Sequence, residues 1–156
     1  MAEPRDAATR RRDTVALLTT PAIDVWVATS SPDGDPHLVP VSLAWIDERV
    51  VIAVAASSAT ASNLTATRRA RLGVGPTRDV VMIDVELERA VGTDDDALGA
   101  AYAAQADWDP RGQADYVYLV LCPRRLQAWR EANEIVGRTL MRDGTWLTPT
   151  ATDGDV

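Results

Sequence analysis

Residues 80–88 read V-V-M-I-D-V-E-L-E, and no other stretch constrains the fold as tightly. Val81, Ile83, Val85 and Leu87 fall on one side of an extended chain, and Asp84, Glu86 and Glu88 on the other. Strict period-2 alternation describes a strand with one face in a core and one in water. That is the habit of antiparallel sheets, since strands of parallel sheets are apolar on both faces. The acids of this stretch are therefore read as a solvated sheet face and not as a carboxylate site.

The rest of the chain supplies partners for that strand. Residues 6–18 follow Pro4 and place Val15 and Leu18 on one face of a short amphipathic helix. D-V-W-V-A-T-S at 24–30 is β-rich, S-P-D-G-D-P at 31–36 is a turn, and 37–46 returns as a partner strand. Pro40 inside it demands an edge or a bulge. Asp47-Glu48 turns the chain into a third strand at 50–55. Ser57 and Ser58 then offer N-caps to a short helix ending near Thr67. A strand at 70–75 leads into the alternating stretch. Thr93 with Asp96 resembles a capping box for a helix over 94–106, with Leu98, Ala101, Tyr102 and Gln105 at helical spacing. Trp108–Gly112 breaks it. Strands at 116–122 and 124–130 flank Pro123, and Met141–Leu147 forms a last short β segment. Short turns between consecutive strands predict a mainly β fold with peripheral helices, an antiparallel Greek-key or meander barrel.

The chain has 156 residues, enough for one domain. We assign that domain to 1–147 and a flexible tail to 148–156, which lacks apolar anchors. A net charge of −7 argues against nucleic acid and against an anionic membrane surface as partners. All 16 basic residues are Arg, so Schiff-base chemistry and a lysine P-loop are excluded. The Lys-free, Ala- and Arg-rich usage resembles that of a high-GC actinobacterium. Cys122 is the single cysteine and His37 the single histidine, too few for a structural zinc site. A lone thiol with no partner for a disulfide predicts a cytoplasmic chain. No apolar run reaches the length of a membrane span, and Arg10–Arg12 ahead of Val15–Leu18 make a poor signal peptide.

No residue set forms a self-sufficient catalytic apparatus. There is no G-x-S-x-G elbow, and His37 reads as a hairpin-end histidine ahead of a general base or a haem ligand. Cys122, in the most apolar strand, reads as a buried core thiol. Any hard chemical step is then left to a cofactor. The best candidate site is the run Ser57-Ser58-Ala59-Thr60-Ala61-Ser62-Asn63, with hydroxyls and free amides at a helix N-terminus after a strand. Such a turn can hold a phosphate, or be an ordinary serine cap. Arg68, Arg69 and Arg71 lie at the helix's other end. Trp26, Trp45, Trp108, Trp129 and Trp146 are the very large aromatics of a Phe-free chain; for each, core or dimer-interface packing is the plain reading.

Three blocks carry a family resemblance: D-G-D-P-H-L-V-P-V-S-L-A-W at 33–45, S-x-T-x-S-N-L at 58–64 with R-A-R-L at 69–72, and A-W-R-E-A-N-E-I-V-G-R-T-L-M-R-D-G-T-W-L at 128–147. In order and spacing, over residues 10–147, the chain resembles the pyridoxamine 5′-phosphate oxidase-like proteins, the flavin- and deazaflavin-binding split barrels, in an actinobacterial branch. The resemblance implies a six-stranded antiparallel split β-barrel and a homodimer. It implies a cofactor, FMN or the deazaflavin coenzyme F-420, at the subunit interface, and hydride transfer with a small organic substrate. Mapped onto this chain, the phosphate falls to Val41, Ser42, Ala55, Ala56, Ser57, Ser58, Thr60 and Asn63. The ring falls along His37, Val39 and Pro40, and the partner covers it with Trp129 and Arg138. The chain departs from the family at Thr60, where many relatives carry Lys or Arg. A hydroxyl supplies no charge there, so amides and nearby arginines such as Arg68 or Arg78 compensate, or binding is weak, or the cofactor has been lost. The same departure counts against true pyridoxamine phosphate oxidase activity. The other readings are a non-catalytic flavin-, deazaflavin- or haem-binding module of the same fold, and a cofactor-free dimer.

Overall fold

The computed structural model describes residues 1–147, and the expected flexible tail lies outside the described residues. In chain order the elements are α1 (Ala7–Leu18), β1 (Asp24–Ser30), β2 (Pro36–Ser42), β3 (Ala44–Ile46), β4 (Arg49–Ala55), α2 (Ala59–Thr67), β5 (Arg69–Val74), β6 (Val80–Gly92), α3 (Asp96–Ala106), β7 (Tyr116–Trp129), β8 (Thr139–Arg142) and β9 (Thr145–Trp146). All pairings are antiparallel, in the order β2-β1-β5-β6-β7-β4-β3, with the β8–β9 hairpin attached to β7. β2 and β3 flank Leu43 and are two halves of one run. The first half pairs with β1 and the second with β4. The two ends of the sheet thus belong to the same strand, and the sheet closes as a six-stranded barrel.

Closure explains Pro40. Expected inside one long strand, it lies in the half where the run is an edge, opposite Trp26. An edge tolerates a residue without an N–H. Leu43, at the bend, is fully buried and donates its N–H to the Ile23 carbonyl at 3.1 Å.

β6 follows the alternation: Val81, Ile83, Val85 and Leu87 are buried, whereas Glu86 and Glu88 are exposed. The two strands expected around Pro123 are one. Asp84 pairs with Arg125 and Val85 with Pro123, so Arg124 is the extra residue of a β-bulge. A bulge takes one residue out of the ladder and so accommodates the missing N–H without ending the strand. Cys122, expected in the core, is half-buried and pairs with Glu86.

Branched aliphatics fill the barrel: Leu18, Val27, Leu43, Ile52, Leu64, Leu72, Ile83, Leu119, Leu121 and Leu126 are wholly or almost wholly buried. α3 covers β3, β4 and β7 from outside with a second cluster around Tyr102 and Tyr118. Tyr102 Oη accepts from Trp108 Nε1 at 3.2 Å, and burial pushes its pKa up to about 12. Gln105 ties the layers together. Its amide accepts from Trp45 N at 2.7 Å and donates to the Leu18 carbonyl at 2.7 Å. The expected capping box does not form. Asp95 caps α3 through Leu98 N, and Thr93 instead donates to the Gln113 carbonyl.

α1 faces the barrel with Arg10, Thr14 and Leu18, while Val15 is only half-buried. Arg10 is buried because its guanidinium reaches the Glu134 carbonyl. Glu134 ends a single 3-10 turn, Ala132–Glu134, and is 3% exposed. Its carboxylate accepts from Arg5 N at 2.8 Å, Arg5 Nε at 3.0 Å, Arg5 Nη2 at 2.8 Å and Arg130 N at 2.8 Å. These donors, led by the Arg5 guanidinium and opposed by burial, hold Glu134 down at about 2, against an ordinary 4.5.

A depressed carboxyl stabilises the fold above its unfolded pKa and loses that contribution as pH falls through its folded pKa. Glu134 should therefore contribute on the order of 3 kcal/mol at neutral pH, lost progressively between about pH 4.5 and pH 2. Urea unfolding at pH 7 and pH 3 checks this: the loss should be clearly smaller in Glu134→Gln than in the parent.

Candidate cofactor-binding cleft

Beyond Ser42 the barrel is split. β3 pairs with β4 at Arg49–Val51, but β2 bends away, and among the described residues its outer edge carries no strand. The chain leaving β4 turns in beside this opening. Ala56 N bonds the Asp115 carbonyl at 2.8 Å and Ser58 N the Ala55 carbonyl at 2.9 Å. Ser58 then caps α2, its Oγ accepting from Ala61 N at 3.2 Å. Ala59 and Thr60 are left with first-turn amides that have no intrahelical partner. The helix sits close because its inner residues are small or aliphatic: Thr60, Ala61 and Leu64 are 2%, 5% and 0% exposed.

The expected site residues divide into three groups. Ala55, Ala56, Ser57, Ser58 and Thr60 come together at this turn, although Ser58 Oγ is engaged as the cap. Asn63 is 8% exposed and donates Nδ2 to Thr29 Oγ1 at 3.0 Å, so it fastens α2 to β1. Along β2, His37, Val39 and Val41 stand opposite Thr29, Val27 and Val25 on the barrel side and are half-buried. Pro40 and Ser42 alternate to the outer side.

Arg78, Trp129 and Arg138 lie elsewhere. Ala55 pairs with Tyr116 and Val80 with Trp129, so the turn and these residues sit at opposite ends of the 14-residue β7. Arg78 is highly exposed and 3.9 Å from Glu131. The Arg138 guanidinium lies over the Trp129 ring, 5.1 Å from its centroid. Arg68 is the C-cap of α2, at the end of the helix away from Ser58. Within one protomer, no guanidinium of this set reaches the turn. A phosphate there would meet the amides of Ala59 and Thr60, the helix dipole and the Ser57 hydroxyl. These fit the group as neutral donors, and none of them brings a full positive charge.

The outer sheet face was not expected as a site. Trp26 is 52% exposed and Leu38 60%. Trp26 stands in one cross-strand row with Pro40, Gly73, Met82 and Gln127. Met82 Sδ lies over Gly73, only 3.5 Å from where a Cβ would be. The next row runs Leu38, Ala28, Arg71, Asp84, Arg125. Asp84 accepts from Arg71 Nε at 2.6 Å and Arg125 Nε at 2.8 Å. Burial opposes ionisation of Asp84, but the two arginines outweigh it and hold the carboxyl below its ordinary range. A depression of about 290 Å³ adjoins this row, with Trp129 and Arg138 on its wall. The signal for this face lay in 24–30 and 37–42, which place apolar side chains on both sides of their strands, as strands covered on both faces do.

A six-stranded barrel opened along one edge, beside a helix N-terminus and an apolar outer face, is the split-barrel class. The chain belongs to the pyridoxamine 5′-phosphate oxidase family, whose description matches residues 15–130. No curated protein matches it. Among solved structures it is similar to an F420 reductase, at 21% identity and a TM-score of 0.61 over 71% of this chain and 93% of that one. It is also similar to a haem-binding protein from Mycobacterium smegmatis, at 22% identity and a TM-score of 0.61 over 92% of this chain and 60% of the other. A third likeness is to a pyridoxamine 5′-phosphate oxidase-related, FMN-binding protein from Nostoc punctiforme, at 17% identity and a TM-score of 0.51, covering 78% of both chains. At these identities the likenesses show the fold.

Asn63→Ala removes the buried tie to Thr29 and should lower stability by about 1–3 kcal/mol. The check is the urea midpoint at constant slope, where an unchanged midpoint would show that the tie carries nothing.

Proposed function

We propose that two copies of this chain bind a flavin-type cofactor, FMN or the deazaflavin coenzyme, and act as an oxidoreductase on a small organic substrate. The observation that carries this reading is the split itself: a free strand edge at β2 opening beside unpartnered amides of α2. A planar ring with an anionic tail suits that pairing of features. The amides of Ala59 and Thr60 and the Ser57 hydroxyl would hold the tail, and His37 to Pro40 would line the ring. When bound, the cofactor exchanges hydride with a substrate stacked on its ring. The chain's own residues bind, orient and exclude water, and no acid–base group of this chain is required.

The homodimer part of the reading is supported by the exposed Trp26, Leu38 and Pro40. An apolar face of this kind on a sheet, rimmed by the Arg71–Asp84–Arg125 row, suits an interface. A second copy seated there supplies what one protomer lacks, Trp129 as a cover and Arg138 as a positive charge.

A second reading is a module that holds haem or a flavin without turnover. It is favoured by Thr60, a buried residue where many relatives carry a basic one, and by the likeness to a haem-binding protein. Titration of the purified protein with FMN, deazaflavin coenzyme and haemin separates the readings. Saturable flavin or deazaflavin binding with substrate-dependent reoxidation supports the first; haem binding alone supports the second.

Trp26→Asp and Leu38→Glu alter the outer face and leave the barrel core intact. Each should give a folded monomer by sedimentation and circular dichroism, with cofactor affinity reduced by about tenfold or more. A variant that becomes a monomer and binds as tightly as the parent would refute the shared site.

A further inference from the structure

The loop between β7 and β8, residues 130–138, follows Trp129 and ends on Arg138. It carries no strand, and of residues 130–137 only Glu134 is buried. Ile135 and Val136 at its tip are exposed, 45% and 89%. Internally, its first half is held around Glu134, whose N–H reaches the Glu131 carbonyl at 3.0 Å and whose carboxylate accepts from Arg130 N at 2.8 Å, and its second half only by longer bonds, Ile135 N to the Ala132 carbonyl at 3.3 Å and Arg138 N to the Ile135 carbonyl at 3.4 Å. A segment with so little buried surface is fixed only where a specific contact fixes it.

That contact comes from the other end of the sequence. Arg5, whose side chain is 10% exposed, directs its fork at Glu134 and also reaches Asp13 at 3.1 Å and Asp79 at 3.2 Å. Arg130 bridges back from the loop to Asp79 at 2.9 Å, and Arg10 donates to the Glu134 carbonyl at 3.3 Å. The cluster joins the segment before α1, α1 itself, the β5–β6 turn and the loop. Its charges balance, with Arg5, Arg10 and Arg130 against Asp13, Asp79 and Glu134. The Glu134 carboxylate spends both oxygens on the Arg5 fork, a geometry only guanidinium matches.

We infer that Arg5, acting through Glu134, is a positioning residue that holds the 130–138 loop and so sets where Trp129 and Arg138 stand over the second copy's cofactor. This rests on the dimeric reading proposed above. Arg5 touches neither cofactor nor substrate. Its effect reaches the site through a loop with one buried anchor.

The test compares the parent with Arg5→Ala and with Arg12→Ala, a control whose guanidinium is 74% exposed and only 3.5 Å from Asp13. Three readouts are taken: affinity for FMN, deazaflavin coenzyme and haemin; the rate of elastase cleavage in the loop, after Ala132 and Val136; and the same two with millimolar ethylguanidinium. That cation carries the fork that Arg5→Ala removes, and a depression of about 370 Å³ lined by Arg5, Asp13 and Asp79 gives it access. Arg5→Ala should weaken binding about tenfold, the scale of coupling between two sites. It should also speed loop cleavage, with sedimentation and circular dichroism unchanged, and ethylguanidinium should reverse both effects. A general loss of fold would not be rescued by a small cation, and Arg12→Ala should change nothing. If Arg5→Ala does not fold, Arg5→Lys keeps the charge without the fork and should show the same two changes in smaller measure. Affinity and cleavage equal to the parent's, or changes that ethylguanidinium does not reverse, overturn the inference. If the parent binds none of the three ligands, the dimeric cofactor reading fails. Cleavage and its rescue then decide the role of Arg5 in fixing the loop.

Discussion

The barrel depends on the closure at Leu43. One run of backbone must satisfy β1 with its first half and β4 with its second, and a single residue makes the change. A flat edge strand could not serve both, because the sheet has to curl until its ends meet. Leu43 anchors the change by full burial and by the bond from its N–H to Ile23. The free edge of β2 follows from the same bend. Had the run continued straight along β4, the ladder would have been complete and there would be no opening beside α2. The feature that closes the core and the feature that makes a site are thus one event in the chain.

The core around that bend is made of branched aliphatics, in a chain without phenylalanine. Small and medium side chains pack a narrow barrel without large voids. The large aromatics are displaced to the outside, where α3 covers Tyr102 and Tyr118 and the outer sheet face leaves Trp26 half in water. Three inward polar groups tie elements together: Gln105 between α1 and β3, Asn63 between α2 and β1, Glu134 between the two ends of the sequence; the buried Tyr118 hydroxyl, by contrast, has no hydrogen-bond partner among the described residues. Each of the three is satisfied by partners from distant segments, as buried polar groups generally are.

What could be read from the residues tracks how local the cause is. The alternation at 81–88 is a property of one strand, and it held. The turn at Asp47-Glu48 held too, with both residues at positive φ, 48° and 57°, the geometry of a two-residue hairpin. The cap of α3 did not, because Asp94, Asp95 and Asp96 stand in a row and any of them satisfies a cap rule; packing chose Asp95. Pro123 was read as a break because an imide excludes a ladder bond, and only the partner strand could show that a bulge absorbs it. The serine turn at 57–63 was legible as a cap, but the engagement of Asn63 with Thr29, 34 residues away, was not. The Arg5–Glu134 pair spans 129 residues and leaves no periodic trace at either end.

The position of charge bears most directly on the site. The chain carries a net −7, yet its arginines are not spread evenly about the opening. Arg68 caps the far end of α2, Arg71 and Arg125 are committed to Asp84, and Arg78 and Arg138 stand at the other end of β7. A helix N-terminus offers only about half a unit of positive charge. A bound phosphate carries one to two negative charges, so amides alone leave it under-compensated. One protomer by itself therefore compensates an anion at this turn only in part, and Arg138, stacked on Trp129, has no ion pair among the described residues. In the proposed dimer, that group would supply from the neighbouring barrel the charge that Thr60 does not.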